Sequence, residues 1–144
     1  MKKKQEKEKI IQKVVRLELN PAGRDKQPMY DALAEIQQQV NALKNKTVQV
    51  CWKWDGYVVE FQAKHNGATP EIKDYYPGQK REDGVAYDLY KNEFPNMYRM
   101  NFNCSIRQAY GAFDNHRGEM RRGEMSVISY RSNQPMELHN TSIV

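Results

Sequence analysis

The sequence predicts an α+β fold in which a lobe of three main helices is inserted into a small, incomplete antiparallel β-sheet. One observation is that apolar residues recur at a regular spacing between residues 29 and 61, which indicates a helix. The other is that alternating, strand-like stretches lie at opposite ends of the chain, at 10–19 and from 125 onward. A sheet of three strands is near the lower limit for independent stability, so we expect it to continue in further chain.

The first strand is predicted over residues 10–19, where apolar side chains alternate and Asn20-Pro21-Ala22-Gly23 then forms a turn. At the other end, residues 125–130 alternate as a strand, 133–135 form a turn, and 136–144 are predicted as the last strand. The predicted domains are therefore a basic disordered arm (1–9), a first strand (10–23), a helical lobe (24–123) and the final strands (124–144).

The long helix is predicted from residues spaced alternately by four and three, a 3.5-residue period that is typical of a helix packed along its length. We call this set the apolar stripe: Met29, Leu33, Ile36, Val40, Leu43, Thr47, Val50, Trp54, Tyr57 and Phe61. Polar residues between them, including Gln37, Asn41, Lys44 and Asn45, are expected to face water. Asp55-Gly56 is a turn dipeptide, and it is the predicted weak point of a helix roughly 50 Å long.

Two shorter helices are predicted beyond a linker at 66–84, in which Tyr75 and Tyr76 are expected to anchor the chain to the core. The first runs from about 84 to 94 and is stopped by Pro95. The second runs from about 103 to 122, with Gly123 as its C′ residue.

The net charge of +5 lies in the first 16 residues, which hold seven basic and two acidic side chains. Such an arm can bind a phosphate backbone and release counterions, or it can be a solvated tail. The candidate phosphate-binding residues are Lys2, Lys3, Lys4, Lys13 and Arg16.

The chemistry of a metal or hydrolytic enzyme is not visible in the sequence. His65, His116 and His139 are scattered, and no pair of cysteines has the spacing of a zinc site. No glycine-rich phosphate loop occurs, and no carboxylate pattern suggests a magnesium site. We therefore predict no catalytic residues, no metal and no cofactor. The sequence has neither a secretory signal nor an apolar run long enough for a bilayer, so a cytoplasmic protein with reduced Cys51 and Cys104 is expected.

Nucleic-acid binding has better support, because arginines and aromatic residues interleave in the second half of the chain. Arginine forks match phosphates, while aromatic faces stack on bases. The predicted contacts here are Arg107, Arg117, Arg121, Arg122 and Arg131. The alternative is a solvated helix face that lies above core aromatics.

Three motifs together resemble a known family. They are Val-Cys-Trp-Lys-Trp-Asp-Gly (50–56) at the end of a Gln-rich helix, Gly-Val-Ala-Tyr-Asp-Leu-Tyr (84–90), and the tail at 122–131 with 134–143. Their order and spacing are similar to the N-terminal region of the miniature type V-F CRISPR effectors, relatives of the transposon nuclease TnpB. The resemblance covers residues 10–144.

The resemblance implies a β-rich wedge domain interrupted by a helical recognition lobe. The wedge would hold guide RNA, and the lobe would read target-adjacent DNA and form a dimer. It also places reading of the DNA motif in the short helix and the start of the third helix, where residue type makes Tyr87, Lys91, Arg107 and Gln108 our candidates for base or stacking contacts. The family's nuclease domain has no counterpart here, so no cleavage by this chain alone is expected.

Three functions therefore remain open. The first is the recognition and wedge portion of an RNA-guided DNA nuclease, with guide RNA, target DNA and a second copy as partners. The second is a stand-alone mimic of the lobe that binds and inhibits a full-length effector. The third is a helical protein–protein adaptor. In each case Leu33, Ile36, Val40 and Leu43 are the predicted partner interface.

Overall fold

The computed structural model describes residues 27–136, apart from the side chain of Asp83. Four helices follow one another within this range. They are α1 (Gln27–Lys64), α2 (Ile72–Tyr75), α3 (Glu82–Tyr90) and α4 (Arg99–Arg121). Among these described residues, none of the helices combines the length and the apolar character that a bilayer span requires.

The predicted α+β fold is wrong for the described part of the chain, which is helical and contains no strand between residues 27 and 136. Residues 125–130 were the one predicted strand that falls fully inside this range, and they form no β-ladder. The physical reason is that Tyr130 bonds through its backbone N–H and C=O to the side-chain amide of Asn45 on α1. The predicted arm (1–9), the first strand (10–23) and residues 137–144 of the last strand lie outside the described residues.

The long helix is confirmed, and it continues through the predicted weak point at Asp55-Gly56. Its 38 residues span roughly 57 Å at 1.5 Å per residue. Asp55 does not form a turn because its side chain is buried and binds Arg121 of α4. Gly56 costs the helix about 1 kcal/mol relative to alanine, and the tertiary contact outweighs this cost.

The core lies where the middle of α1 meets α4 and α3. Its buried members are Leu43, Val48, Cys51, Ala86, Phe102, Ile106, Ala109, Tyr110, Phe113 and Met120. The apolar stripe is buried from Val40 to Trp54 and half-exposed at both ends. Thr47, its polar member, is buried and donates a hydrogen bond to the Leu43 carbonyl. Both cysteines are free, and burial raises the pKa of the Cys51 thiol.

The polar residues of α1 do not all face water as expected. Asn41 is 1% exposed and Lys44 is 6% exposed. Both lie under residues 130–134: the Asn41 amide donates to backbone carbonyls there, and the Lys44 ammonium lies 5.2 Å from the Tyr130 ring centre.

The shorter helices follow the prediction with shifted ends. The helix expected at 84–94 is α3, and the helix expected at 103–122 is α4, which begins four residues earlier at Arg99. Gly123 is confirmed as the residue after the α4 cap, with φ of 71° and the paired backbone bonds of a Schellman motif. In the linker, the predicted anchor Tyr75 stacks on Tyr57 of α1 with ring centres 4.7 Å apart.

Candidate nucleic-acid interface

A groove of about 770 Å³ lies between α3 and α4. It is lined by Arg81, Gly84, Tyr87, Asp88, Asn103, Ile106, Arg107, Tyr110, Gly111 and Asp114. The α4 members recur every three or four residues, so a single face of that helix forms one wall. Gly111 leaves this wall open, because a Cβ there would meet no atom within 4 Å.

The two walls are joined by a partly buried hydrogen bond. The Tyr110 hydroxyl on α4 donates a hydrogen bond to the backbone carbonyl of Glu82, the first residue of α3. Since Tyr110 is also part of the hydrophobic core, this bond fixes the spacing of the walls. The groove is therefore a built feature of the helix packing.

Arg107 supplies the groove with an accessible positive charge. Its side chain is exposed, and its guanidinium makes no hydrogen bond or ion pair with another residue of the described range. A guanidinium in this state can bind a phosphate, or pair with the two acceptors of a guanine edge.

Tyr87 contributes an aromatic surface that the core holds in place. Its ring packs edge-on against Phe102, with centroids 5.6 Å apart, and the Arg99 guanidinium lies 5.5 Å from its centre. The half-buried ring therefore has a fixed orientation at the groove. A fixed ring stacks on a base at low entropic cost.

Two carboxylates make the groove mixed in charge. Asp88 accepts a hydrogen bond of 2.7 Å from Gln79 and lies 3.9 Å from the Lys91 ammonium. Asp114 is paired with Arg117 at 2.6 Å. Carboxylates accept hydrogen bonds from the amino groups of bases, and they repel phosphates. The groove is thus better suited to base edges than to a phosphate backbone.

Three of the arginines predicted to bind nucleic acid are occupied by ion pairs within the chain. Arg121 forms a two-pronged bond to Asp55, which is 3% exposed, and this bond raises the pKa of the guanidinium. Arg117 contacts Asp114, Glu82 and Asp55 at 2.6, 3.6 and 3.4 Å. Arg122 pairs with Glu124 at 2.8 Å, which raises the pKa of Arg122.

The other predicted contacts are placed as follows. Tyr87 and Arg107 both line the groove. Lys91 does not line it, but its ammonium lies 3.9 Å from the carboxylate of the groove residue Asp88. Gln108 is half-buried on α4 but does not line the groove, and Arg131 is exposed beyond α4. Lys2, Lys3, Lys4, Lys13 and Arg16 lie outside the described residues. The role of each in binding stays a prediction.

The predicted partner interface divides in two. Val40 and Leu43 are fully buried, and Leu43 belongs to the core. Leu33 and Ile36 are half-exposed near the start of α1. Only this second pair has surface available to a partner in the described structure.

The sequence reasoning missed Arg81, Asn103 and Asp114 as groove residues. Asn103 and Asp114 share the helical spacing of Arg107, so a helical projection of α4 could have grouped them. It also missed the amide residues Gln37, Asn41 and Asn45, which recur every four residues on α1 and bind the chain at 130–134.

The described residues thus form a helical unit with a mixed-charge groove between two helices. The chain is 30% identical over 132 residues to the CRISPR-associated endodeoxyribonuclease Cas12f1 of Sulfoacidibacillus thermotolerans. The alignment covers 91% of this chain and 31% of the relative, so the chain spans about a third of that protein's length. This similarity relates the chain to a region of a CRISPR type V-F effector. No protein-family model matches the chain.

Proposed function

We propose that the chain is a nucleic-acid-binding recognition portion of a miniature RNA-guided DNA nuclease system. It binds guide RNA and target-adjacent DNA, and no cleavage step is assigned to its residues. The observation that carries this proposal is the similarity to Cas12f1 along 91% of the chain. The proposal includes a cytoplasmic location, where guide RNA and target DNA are both accessible.

The α3–α4 groove supports this function through its combination of side chains. Arg107 offers a fork of donors, Tyr87 offers a held ring, and Asp88 offers an acceptor. A site that reads base edges needs donors and acceptors together, while a phosphate site needs positive charge alone. We therefore assign base contacts to the groove and phosphate contacts to the basic arm.

The groove is tested by measuring the affinity of Arg107→Ala for short labelled RNA and duplex DNA probes by fluorescence anisotropy. Loss of one paired base contact costs about 1–3 kcal/mol, so the dissociation constant should rise roughly five- to 150-fold. Arg122→Ala is the matched control, since it removes an arginine that is paired with Glu124 outside the groove. Equal weakening by both variants would show that only net charge matters, and no binding of the native chain at low salt would refute the function.

The arm is tested by deleting residues 2–9, which removes five lysines. If these contact about five phosphates, the slope of log affinity against log salt should flatten by roughly 4. An unchanged slope would identify the arm as a solvated tail.

A second copy of the chain is the proposed partner of the half-exposed residues at the start of α1. Ile36→Asp should give a folded monomer in sedimentation experiments, whereas Val40→Asp should unfold the protein because Val40 is fully buried. If Ile36→Asp associates like the native chain, this interface is refuted. Association only with a full-length effector, in the absence of guide RNA, would instead favour the inhibitor function.

A further inference from the structure

Three amide side chains on α1 hold the chain that follows α4. We call Gln37, Asn41 and Asn45 the amide latch, and we call residues 125–134 the strap. The latch residues recur every four positions, so they form one row along the helix. The strap passes along this row in the opposite direction, from Asn45 towards Gln37.

The latch makes six hydrogen bonds, and all of them reach the backbone of the strap. Asn45 is bound twice to Tyr130: its Nδ2 donates to the carbonyl at 2.8 Å, and its Oδ1 accepts from the N–H at 2.6 Å. Asn41 donates to the carbonyls of Ser132 and Gln134, at 3.2 and 2.9 Å. Gln37 donates to the carbonyls of Asn133 and Gln134, at 3.1 and 2.9 Å.

The hydrogen bonds of the closed latch are individually weak. All six bonds join neutral groups, and a bond of this kind shifts an opening equilibrium by only about two- to tenfold. The Asn41 Oδ1 atom is buried and accepts no hydrogen bond, which disfavours the closed state. The strap side chains Met125, Val127, Ile128 and Tyr130 pack on the core but are only partly buried.

The strap is also separated from α4 by a defined boundary. The Schellman bonds of Gly123 and Glu124 complete the helix before the strap begins. The helix end therefore has its hydrogen bonds whether or not the strap is bound. The core pairs α1 with α4 and α3 through residues that precede this boundary.

We propose that the latch and strap form a releasable fastening. The strap dissociates from α1 as one unit while the helices stay folded, and its closed state fixes where the chain leaves the helical unit. The latch therefore controls how rigidly this unit is joined to the chain beyond it.

Hydrogen exchange measured by mass spectrometry on the full chain tests this inference, with Asn45→Ala and Gln37→Ala as the variants. Each should accelerate exchange in the strap, by roughly tenfold or more for Asn45→Ala because it removes two bonds to Tyr130. The amides of α4 between residues 101 and 113 should exchange as in the native chain. Gln49→Ala is the control, an exposed amide on the same helix that forms no hydrogen bond with the strap.

Two outcomes would overturn the proposal. Unchanged strap exchange in both variants would show that the latch bonds do not hold the strap. Equal acceleration in the strap and in α4 would show that the strap is part of the cooperative helical core. Gln37 lies at the edge of the latch and is half-exposed, so its variant keeps the test decisive if Asn45→Ala does not fold.

Discussion

The two halves of α1 are fastened to the rest of the chain by different chemistry. In the second half, Asp55 is buried and holds Arg121 of α4 through a two-pronged ion pair. In the first half, Asn41 and Asn45 hold the strap through neutral amide bonds to its backbone. The ion pair joins two side chains, while the amides bind main-chain groups that every residue carries.

The ion pair and the amide bonds respond differently to the loss of one side chain. Removing one partner of a buried ion pair leaves an uncompensated charge, so the cost is large and spreads to the whole fold. Removing one amide leaves polar backbone groups that water can reach once the strap moves away, so the cost is small and local. The first fastening makes the core cooperative, and the second permits local motion.

The largest expected effect separates the start of the apolar stripe from its buried middle. Leu43→Ala should lower the free energy of unfolding by about 3 kcal/mol, because Leu43 is fully buried and its loss leaves a cavity. Leu33→Ala should cost about 1 kcal/mol or less, because Leu33 is half-exposed. Urea denaturation followed by circular dichroism measures both, and equal losses would mean that the start of α1 is packed as tightly as its middle.

The next largest effect is expected from a substitution that breaks the ion pair between Asp55 and Arg121. Arg121→Ala should lower the free energy of unfolding by about 2 kcal/mol, a value reduced because the Arg121 side chain is 38% exposed and Arg117 remains 3.4 Å from Asp55. The neighbouring Arg122→Ala is the matched control and should leave stability almost unchanged, since its pair with Glu124 is exposed. Similar losses in both variants, again from urea denaturation, would contradict a special role for the buried pair.

A smaller effect, of opposite sign, concerns the glycine beside the ion pair. Gly56→Ala should raise the free energy of unfolding by about 0.5–1 kcal/mol, because Gly56 is inside α1 and an added Cβ meets no atom within 4 Å. Gly118→Ala should gain less, since its Cβ would lie 3.0 Å from a guanidinium nitrogen of Arg122. A thermal melt measures both, and destabilisation by Gly56→Ala would mean that α1 needs flexibility there.

The last effect is absent at neutral pH and appears only at alkaline pH, in the linker beside the second half of α1. Burial, with a smaller contribution from Tyr75, raises the pKa of Tyr76 to about 12 from the ordinary value of 10.0. Because the folded state holds this proton more tightly, its contribution to stability is complete below pH 10 and is lost as the pH rises through 12. Tyr76→Phe should therefore make stability less dependent on pH above 10. An identical decline in both proteins, measured by urea denaturation at several pH values, would contradict the assignment.

Local sequence signals predicted the helices well and failed where a distant side chain intervened. The 3.5-residue period fixed α1 because periodicity is a local property. The expected weakness at Asp55-Gly56 did not follow, because the partner that buries Asp55 lies 66 residues away. The alternation at 125–130 was read as a strand, yet its bonding partner is the side chain of Asn45, 85 residues distant.

The candidate site was predictable in part for the same reason. Arg107 and Tyr87 were identified from residue type, and the structure brings both to one groove. Arg117 and Arg121 have the same residue type but are paired with Asp114 and Asp55. Composition counts a charge, whereas only the fold shows whether that charge is already neutralised.

The backbone-directed bonds of the latch have a consequence for how mutations should be tolerated along the chain. Ser132 and Asn133 contribute only carbonyl oxygens to the latch, and every amino acid supplies the same group. Most replacements at these two positions should therefore leave strap exchange unchanged, whereas most replacements at Asn41 and Asn45 should accelerate it. The side chains that make these hydrogen bonds all lie on the helix, so the strap is free to vary in sequence at Ser132 and Asn133.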